Sequence, residues 1–256
     1  MKIAGFQMQA VLGDVDANLA KIDAAAGKAA AQGVRLLIAP ELALTGYGAG
    51  DLFPALASPA DGPLTQQLSQ IARRHGLTIV AGFAEKDGES VYNSVFLTDG
   101  KGQTATYRKS HLYGPYERQW FRPEAPSSVL ATIDGIRLGM LICYDVEFPE
   151  NVRRLAQAGA DLVVVPTALP SGWSGAFIAE HMIRVRAFEN QVFVAYVNHC
   201  GTDERFAYAG LSRIAAPDGG LLAEAPAESE ALIVAEIDPA TFHSSRSENT
   251  YLADLR

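Results

Sequence analysis

Two stretches of this chain run the same course, and that repetition limits the folds open to it. Residues 15–41 read as an amphipathic helix, then the short apolar strand RLLIAP, then a polar exit at Pro40-Glu41. Residues 149–168 repeat the order: a helix over about 149–159, the apolar strand DLVVVPTA, and a polar exit. In the first helix Leu19, Ile22 and Ala26 share one face and Gly33 closes the end. Two such units in 256 residues predict two similar halves within one mixed α/β domain, its sheets covered on their outer faces by helices. A chain of this length buries a sizeable core without disulfide or metal support.

The remaining pattern fits between these units. Strands are expected at 2–8, 77–85, 91–98 and 103–109, the last two joined by the turn Asp99-Gly100-Lys101-Gly102, and a helix at 63–75. Residues 42–62, rich in Gly, Pro, Ala and Asp, and residues 110–127, with three prolines, read as long loops. Strands come next at 129–133 and 136–143. A helix over 174–190 would put Ile178, Met182 and Val185 on one face, with Glu180 and Arg184 paired at i, i+4. Further strands are expected at 192–200, 208–216, 221–225 and 231–237.

Composition narrows the partners. A net charge of −8 and a pI of about 5.1 argue against nucleic acid, whose phosphates need clustered Lys and Arg. No run approaches the roughly 18 apolar residues of a membrane span. The N-terminus MKIAGFQMQAVLGD reads as a strand and not as a signal peptide, so a soluble, cytoplasmic protein is expected. The two cysteines, Cys143 and Cys200, make no disulfide framework, and no His or Cys pair has the tight spacing of a zinc site, so neither metal nor cofactor is expected.

Three strand exits carry a side chain with chemistry: Glu41 after RLLIAP, Lys109 after TATYR and Cys143 after LGMLI. Sites in α/β sheets gather outside the carboxyl ends of strands, so such exits can converge. Cys143 stands where an apolar strand meets the charged turn YDVEFPE, an unusual place for a thiol that only packs. Taken together, a lysine beside the thiol lowers its pKa and a glutamate takes its proton. His111, two residues after Lys109, reads as structural, and so does Cys200.

The contexts IAPELALTGY, YRKSHL and LICYDVEFPE, in that order, resemble the nitrilase superfamily of carbon–nitrogen hydrolases. The likeness extends through VVPTA (164–168), VRAFENQ (185–191) and YAGLS…APDG (208–219), and so covers nearly the whole chain. It implies a four-layer α-β-β-α sandwich of two pseudo-symmetric halves. It also implies that Glu41 is the general base, Lys109 holds the oxyanion and Cys143 is the nucleophile. Glu117 in GPYERQWF matches the family's second glutamate, with Glu124 as the runner-up outside the motif. The Tyr144 backbone N–H would be the second oxyanion donor. A small amide would be the substrate, a homodimer the assembly, and no cofactor is implied.

Within that superfamily the chain is most like short bacterial amidases of the 5-aminopentanamidase class, which share CYD-x-EFPEN and a closing YL-x-DLR with it. Relatives that bind a free carboxylate, including ω-amidases, resemble CYD-x-RFPE; here Glu147 takes the arginine's place. A carboxylate there attracts an ammonium and repels a carboxylate. That favours an ω-amino or neutral amide, unless Glu147 pairs with Arg153, Arg154 or Arg184. Tyr47, Tyr116, Trp120, Trp173 and Phe177 are further pocket candidates. Hydrolysis of N-carbamoyl compounds, ω-amidase activity, and a non-enzymatic interaction protein with an unused site stand as alternatives.

Overall fold

Each repeated helix–strand unit builds the middle of a six-stranded sheet. The structure, a computed structural model, describes residues 1–255; Arg256, the last residue of the YLADLR ending, lies outside the described residues. The first half runs β1 (Lys2–Gln7), α1 (Val15–Ala30), β2 (Leu36–Ile38), α2 (Phe53–Leu56), α3 (Pro63–His75), β3 (Thr78–Asp87), β4 (Ser90–Thr98) and β5 (Thr104–Arg108). The second runs α4 (Gly114–Trp120), β6 (Leu130–Ile133), β7 (Ile136–Met140), α5 (Pro149–Gln157), β8 (Leu162–Thr167), α6 (Trp173–Phe177), α7 (Ile183–Asn190) and β9 (Phe193–Asn198). It closes with β10 (Arg213–Ala215), β11 (Leu221–Glu224), β12 (Ala231–Glu236) and α8 (His243–Glu248).

The sheet orders are β12-β1-β2-β3-β4-β5 and β11-β10-β9-β8-β7-β6. In each, three parallel strands (β1-β2-β3 and β7-β8-β9) are flanked by antiparallel ones. β2 and β8, the apolar strands of the repeated units, occupy the matching central place.

Strand alternation makes the layers. Ile3, Leu36, Ile38 and Val80 share one core with β8 and β9 of the facing sheet. Their neighbours Ala4, Leu37, Ile79 and Ala81 point the other way, under Leu19 and Ile22 of α1 and Leu68 and Ile71 of α3. α5 and α7 pack together with Val152, Leu155, Ile183 and Ala187 in the core of the second sheet. The result is the expected α-β-β-α sandwich. Among the described residues no helix is long and apolar enough to cross a membrane.

Four expectations about local structure change. Residues 42–62 are not a plain loop: Tyr47–Leu52 form a 3-10 turn leading into α2, and residues 38–50 are buried throughout. Their small residues serve close packing, since a Cβ on Gly48 would run into the Asp203 carboxylate. The 110–127 segment contains α4. The 174–190 helix is broken by a π turn at Ile178–Met182. One extra residue in a turn rotates the rest of the helix by about 100°. The buried face therefore carries Ala179, Ile183 and Ala187, while Val185 is half exposed, and Glu180 meets Arg213 at 3.7 Å and not Arg184. Finally, the 208–216 strand shortens to β10, because Leu211 adopts a positive φ of 55° and Ala209 N–H turns to Leu169 O.

Candidate active site

β2, β5 and β7 end at the same edge of the sandwich, and their exits meet. After β2 the chain turns sharply through Leu42 (φ 49°), and the turn rests on Gly82 of β3. Gly82 N–H donates to Pro40 O and Leu44 N–H to Gly82 O. A Cβ on Gly82 would collide with the backbone nitrogen of Leu42, so only glycine lets the strand pass beneath Glu41. His199, at the end of β9, supports the same turn: its Nε2 is 2.7 Å from Glu41 O.

Lys109 follows β5 and is fully buried between two buried carboxylates. Its Nζ donates to Glu41 Oε1 at 2.6 Å and to Glu117 Oε1 at 2.7 Å. Asn93 of β4 adds a 2.7 Å bond from Nδ2 to the same Glu41 oxygen. Glu117, on α4, also accepts from the Tyr47 hydroxyl at 2.9 Å and from Tyr113 N–H at 2.8 Å. The second Glu41 oxygen, Oε2, is buried and has no protein partner. An orphaned buried acceptor of this kind asks for a functional explanation. Glu124 is remote by comparison: its carboxylate faces Arg108, at 3.5 Å, and is nearly half exposed.

Burial opposes the charge on Lys109, yet Glu117 and Glu41 outweigh it and hold the ammonium well above its ordinary pKa. Burial pushes Glu117 up to about 7 against the pull of Lys109. The thiol of Cys143 is also pushed up, first by burial and then by Glu41, and Lys109 only partly offsets them. Lys109 pulls the thiol in the expected direction, but burial and Glu41 outweigh it. Two carboxylates, Glu41 and Glu117, act on the sulfur besides the one ammonium.

β7 ends at Met140, short of the strand end expected at Cys143. Leu141 N–H still reaches Val164 O, but Cys143 opens a 3-10 turn, Cys143–Glu147, with φ 43°. A non-glycine residue in the left-handed region is strained, and such strain gathers at functional sites. The turn lifts the thiol to the floor of a cavity of about 390 Å³. First-turn N–H groups of a helix lack intrahelical partners, and the Tyr144 N–H stands in the first turn of Cys143–Glu147.

Tyr47, Tyr113, Tyr144 and Trp173 line this cavity, with Ile178 and Glu147. Trp173 stands at the rim, 79% exposed. Glu147 makes no ion pair with Arg153, Arg154 or Arg184; Arg184 donates to Gly219 O and Arg154 to Asn151. Burial raises the Glu147 carboxyl to about 7, with Lys109 and Arg186 pulling the other way.

Three pocket candidates lie elsewhere. Tyr116 sits behind Tyr47, its hydroxyl donating to Tyr47 O at 2.8 Å, because α4 turns that face toward the Tyr47–Leu52 segment. Trp120 packs in the apolar cluster around Phe53 and Phe121. Phe177 stacks on Trp173 on the outer surface. Sequence reasoning alone passes over Asn93, Tyr113, Asp145 and His199. Asn93 and His199 leave a trace, each a polar residue within or ending an apolar strand. Among the described residues no cluster of three or more His, Cys, Asp or Glu side chains is placed to hold a metal.

The carbon-nitrogen hydrolase family model matches residues 2–247. The chain belongs to the carbon-nitrogen hydrolase family. Among its relatives, a hydrolase of Pseudomonas protegens is 44% identical over all of this chain and 89% of its own. An (R)-stereoselective amidase of Pseudomonas sp is 36% identical over all of this chain and 92% of its own. An amidase of Nesterenkonia sp. superposes with a TM-score of 0.89 at 34% identity, covering all of this chain and 93% of that one. That amidase has been solved in complex with butyramide. This carbon-nitrogen hydrolase thus shares both its fold and its overall length with amidases.

Proposed function

We propose that the chain hydrolyses a small carboxamide to the carboxylic acid and ammonia through a thioester on Cys143. The observation that carries this reading is the free, buried Oε2 of Glu41 beside a buried thiol, while Oε1 is held by Lys109 and Asn93. One carboxylate oxygen is fixed and the other is left to move a proton.

In the proposed cycle the thiol proton passes to Glu41 as sulfur attacks the amide carbon. Lys109 Nζ and the Tyr144 N–H hold the oxyanion. The C–N bond breaks as Glu41 returns the proton to the leaving nitrogen, and ammonia departs. Water then attacks the thioester, giving its proton to Glu41. The sulfur leaves, takes that proton back, and the acid is released. The raised thiol pKa makes proton transfer and attack parts of one step. Glu117 orients the substrate and keeps Lys109 in place. Gly82→Ala is expected to displace Glu41 and lower kcat by about 10²-fold. The check is ammonia release beside a thermal melt; a folded variant of normal rate would separate the turn from catalysis.

The unpaired Glu147 supports a substrate whose far end is an ammonium or neutral, such as 5-aminopentanamide. It weighs against ω-amidase activity on carboxylate-bearing substrates, and the chemistry keeps N-carbamoyl hydrolysis as the second reading. The Glu147 carboxyl becomes charged as pH rises through about 7. Preference for the amino amide over butyramide, as a ratio of kcat/KM, should therefore grow over that range by about tenfold. Glu147→Gln should flatten the rise, and a ratio that ignores both pH and the substitution would remove Glu147 from substrate choice. The exposed Trp173, Phe177 and Val185 side chains support the homodimer expectation, which sedimentation reads directly.

A further inference from the structure

Asp145 is fully buried, does not line the cavity and enters none of the chemical steps above. Its carboxylate nevertheless touches both loops that matter. Oδ2 accepts from the Tyr107 hydroxyl at 3.0 Å and from Ile142 N–H at 3.3 Å. Oδ1 accepts from His111 N–H and lies 2.9 Å from His111 Nδ1. Tyr107 and His111 stand two residues on either side of Lys109, and Ile142 directly precedes Cys143. One side chain thus bonds across the lysine loop and the nucleophile turn.

We propose that Asp145 is a positioning residue, assisted by His111, that sets where Cys143 stands relative to Lys109 and Glu41. The strained φ of 43° at Cys143 persists only if its surroundings over-determine it, and these bonds supply that constraint. The His111 ring is itself held, stacked on Phe148 at 4.0 Å. Asn151 Nδ2 donates to Asp145 O at 2.8 Å and lies 3.3 Å from His111 Nδ1. A carboxylate oxygen only accepts, so the 2.9 Å contact to Oδ1 makes His111 Nδ1 the donor.

The residue type accords with the donor count. An ionised carboxylate is acceptor-only and has room for four donors. An asparagine of the same shape offers one acceptor oxygen and turns an NH2 group toward two N–H or O–H donors. Asp145→Asn therefore breaks the constraint without removing volume. His111→Ala removes one bond and the stacking, whereas His111→Asn returns a donor near the Nδ1 position.

The proposal rests on the hydrolase reading, so its test carries a readout that needs no turnover. The alkylation rate of Cys143 by iodoacetamide, followed on its own peptide, is measured beside kcat and KM for butyramide. Asp145→Asn is expected to lower kcat by about 10²-fold, the scale of a misplacement of about 1 Å. KM should stay within about twofold, since neither residue lines the cavity, and alkylation should slow in step with kcat. His111→Ala should lose about tenfold and His111→Asn recover most of it. If wild type releases no ammonia from any amide, the hydrolase reading fails and the alkylation rates alone decide this one. Normal alkylation and kcat in folded Asp145→Asn would overturn the proposal, as would a rise in KM at constant kcat. Should Asp145→Asn not fold, the two His111 variants decide, and equal rates in both would overturn it.

Discussion

Cys143→Ala is expected to abolish amide hydrolysis, a loss on the order of 10⁶ in kcat, while the protein folds normally. The proposed bond between sulfur and the acyl carbon is the only covalent step the enzyme itself makes, and alanine offers no atom for it. Water in the cavity is a poor substitute. In the proposed cycle Glu41 serves the sulfur, and a water attacking directly would also need the position the thiol occupies. The structural cost is small because the turn is held by Asp145 and by the Cys143–Glu147 backbone and not by the thiol. Ammonia release, circular dichroism and a thermal melt check the two halves of this statement. A folded Cys143→Ala protein with appreciable turnover would remove Cys143 as nucleophile.

Lys109→Ala should behave differently, losing activity and stability together. The ammonium is the only cation bonded to Glu41 and Glu117 among the described residues, at 2.6 and 2.7 Å. Loss of an oxyanion donor alone costs about 10²–10³ in turnover. Here the base also loses the partner that fixes it, so a loss of about 10³ or more is expected. Removing one partner of a buried ion pair destabilises by about 3–5 kcal/mol when the other charge stays. Glu117, already raised to about 7, relieves part of that by taking a proton. Lys109→Met keeps the stem and separates the effects: it should restore some of the melting temperature and none of the rate. A fully active Lys109→Met protein would show that the oxyanion is held elsewhere.

Residues at strand exits are legible in the sequence because local pattern places them. Glu41 and Cys143 each come after a short apolar run, Lys109 follows the expected strand TATYR, and Glu117 falls in a recognisable motif after the lysine. The two-halved sandwich can be read for the same reason, since helix and strand periodicities are local. The features that escape depend on distant segments. Asn93 matters because it reaches Glu41, 52 residues away, and His199 because it reaches the same turn from 158 residues away. Asp145 stands in plain view beside the nucleophile, but its partners Tyr107 and His111 come from another strand exit.

The state of the thiol is hidden from the sequence for a related reason. Proximity to a lysine argues for a thiolate, whereas burial and a second nearby carboxylate are tertiary quantities that reverse the sign. Composition misleads at residues 42–50, where Gly and Ala suggest exposure and every residue is buried. The π turn in the 174–190 segment leaves no signal in the apolar spacing, and it moves the buried face away from Val185.

A thioester on the path from amide to acid would be trapped by adding hydroxylamine during turnover of butyramide and measuring acid and hydroxamate together. An acyl group held on Cys143 is open to either nucleophile after ammonia has left. Hydroxamate is expected to form at the expense of acid while ammonia release is undiminished. Release of acid alone, unchanged at any hydroxylamine concentration, would mean that water attacks the amide directly, and would contradict the thioester.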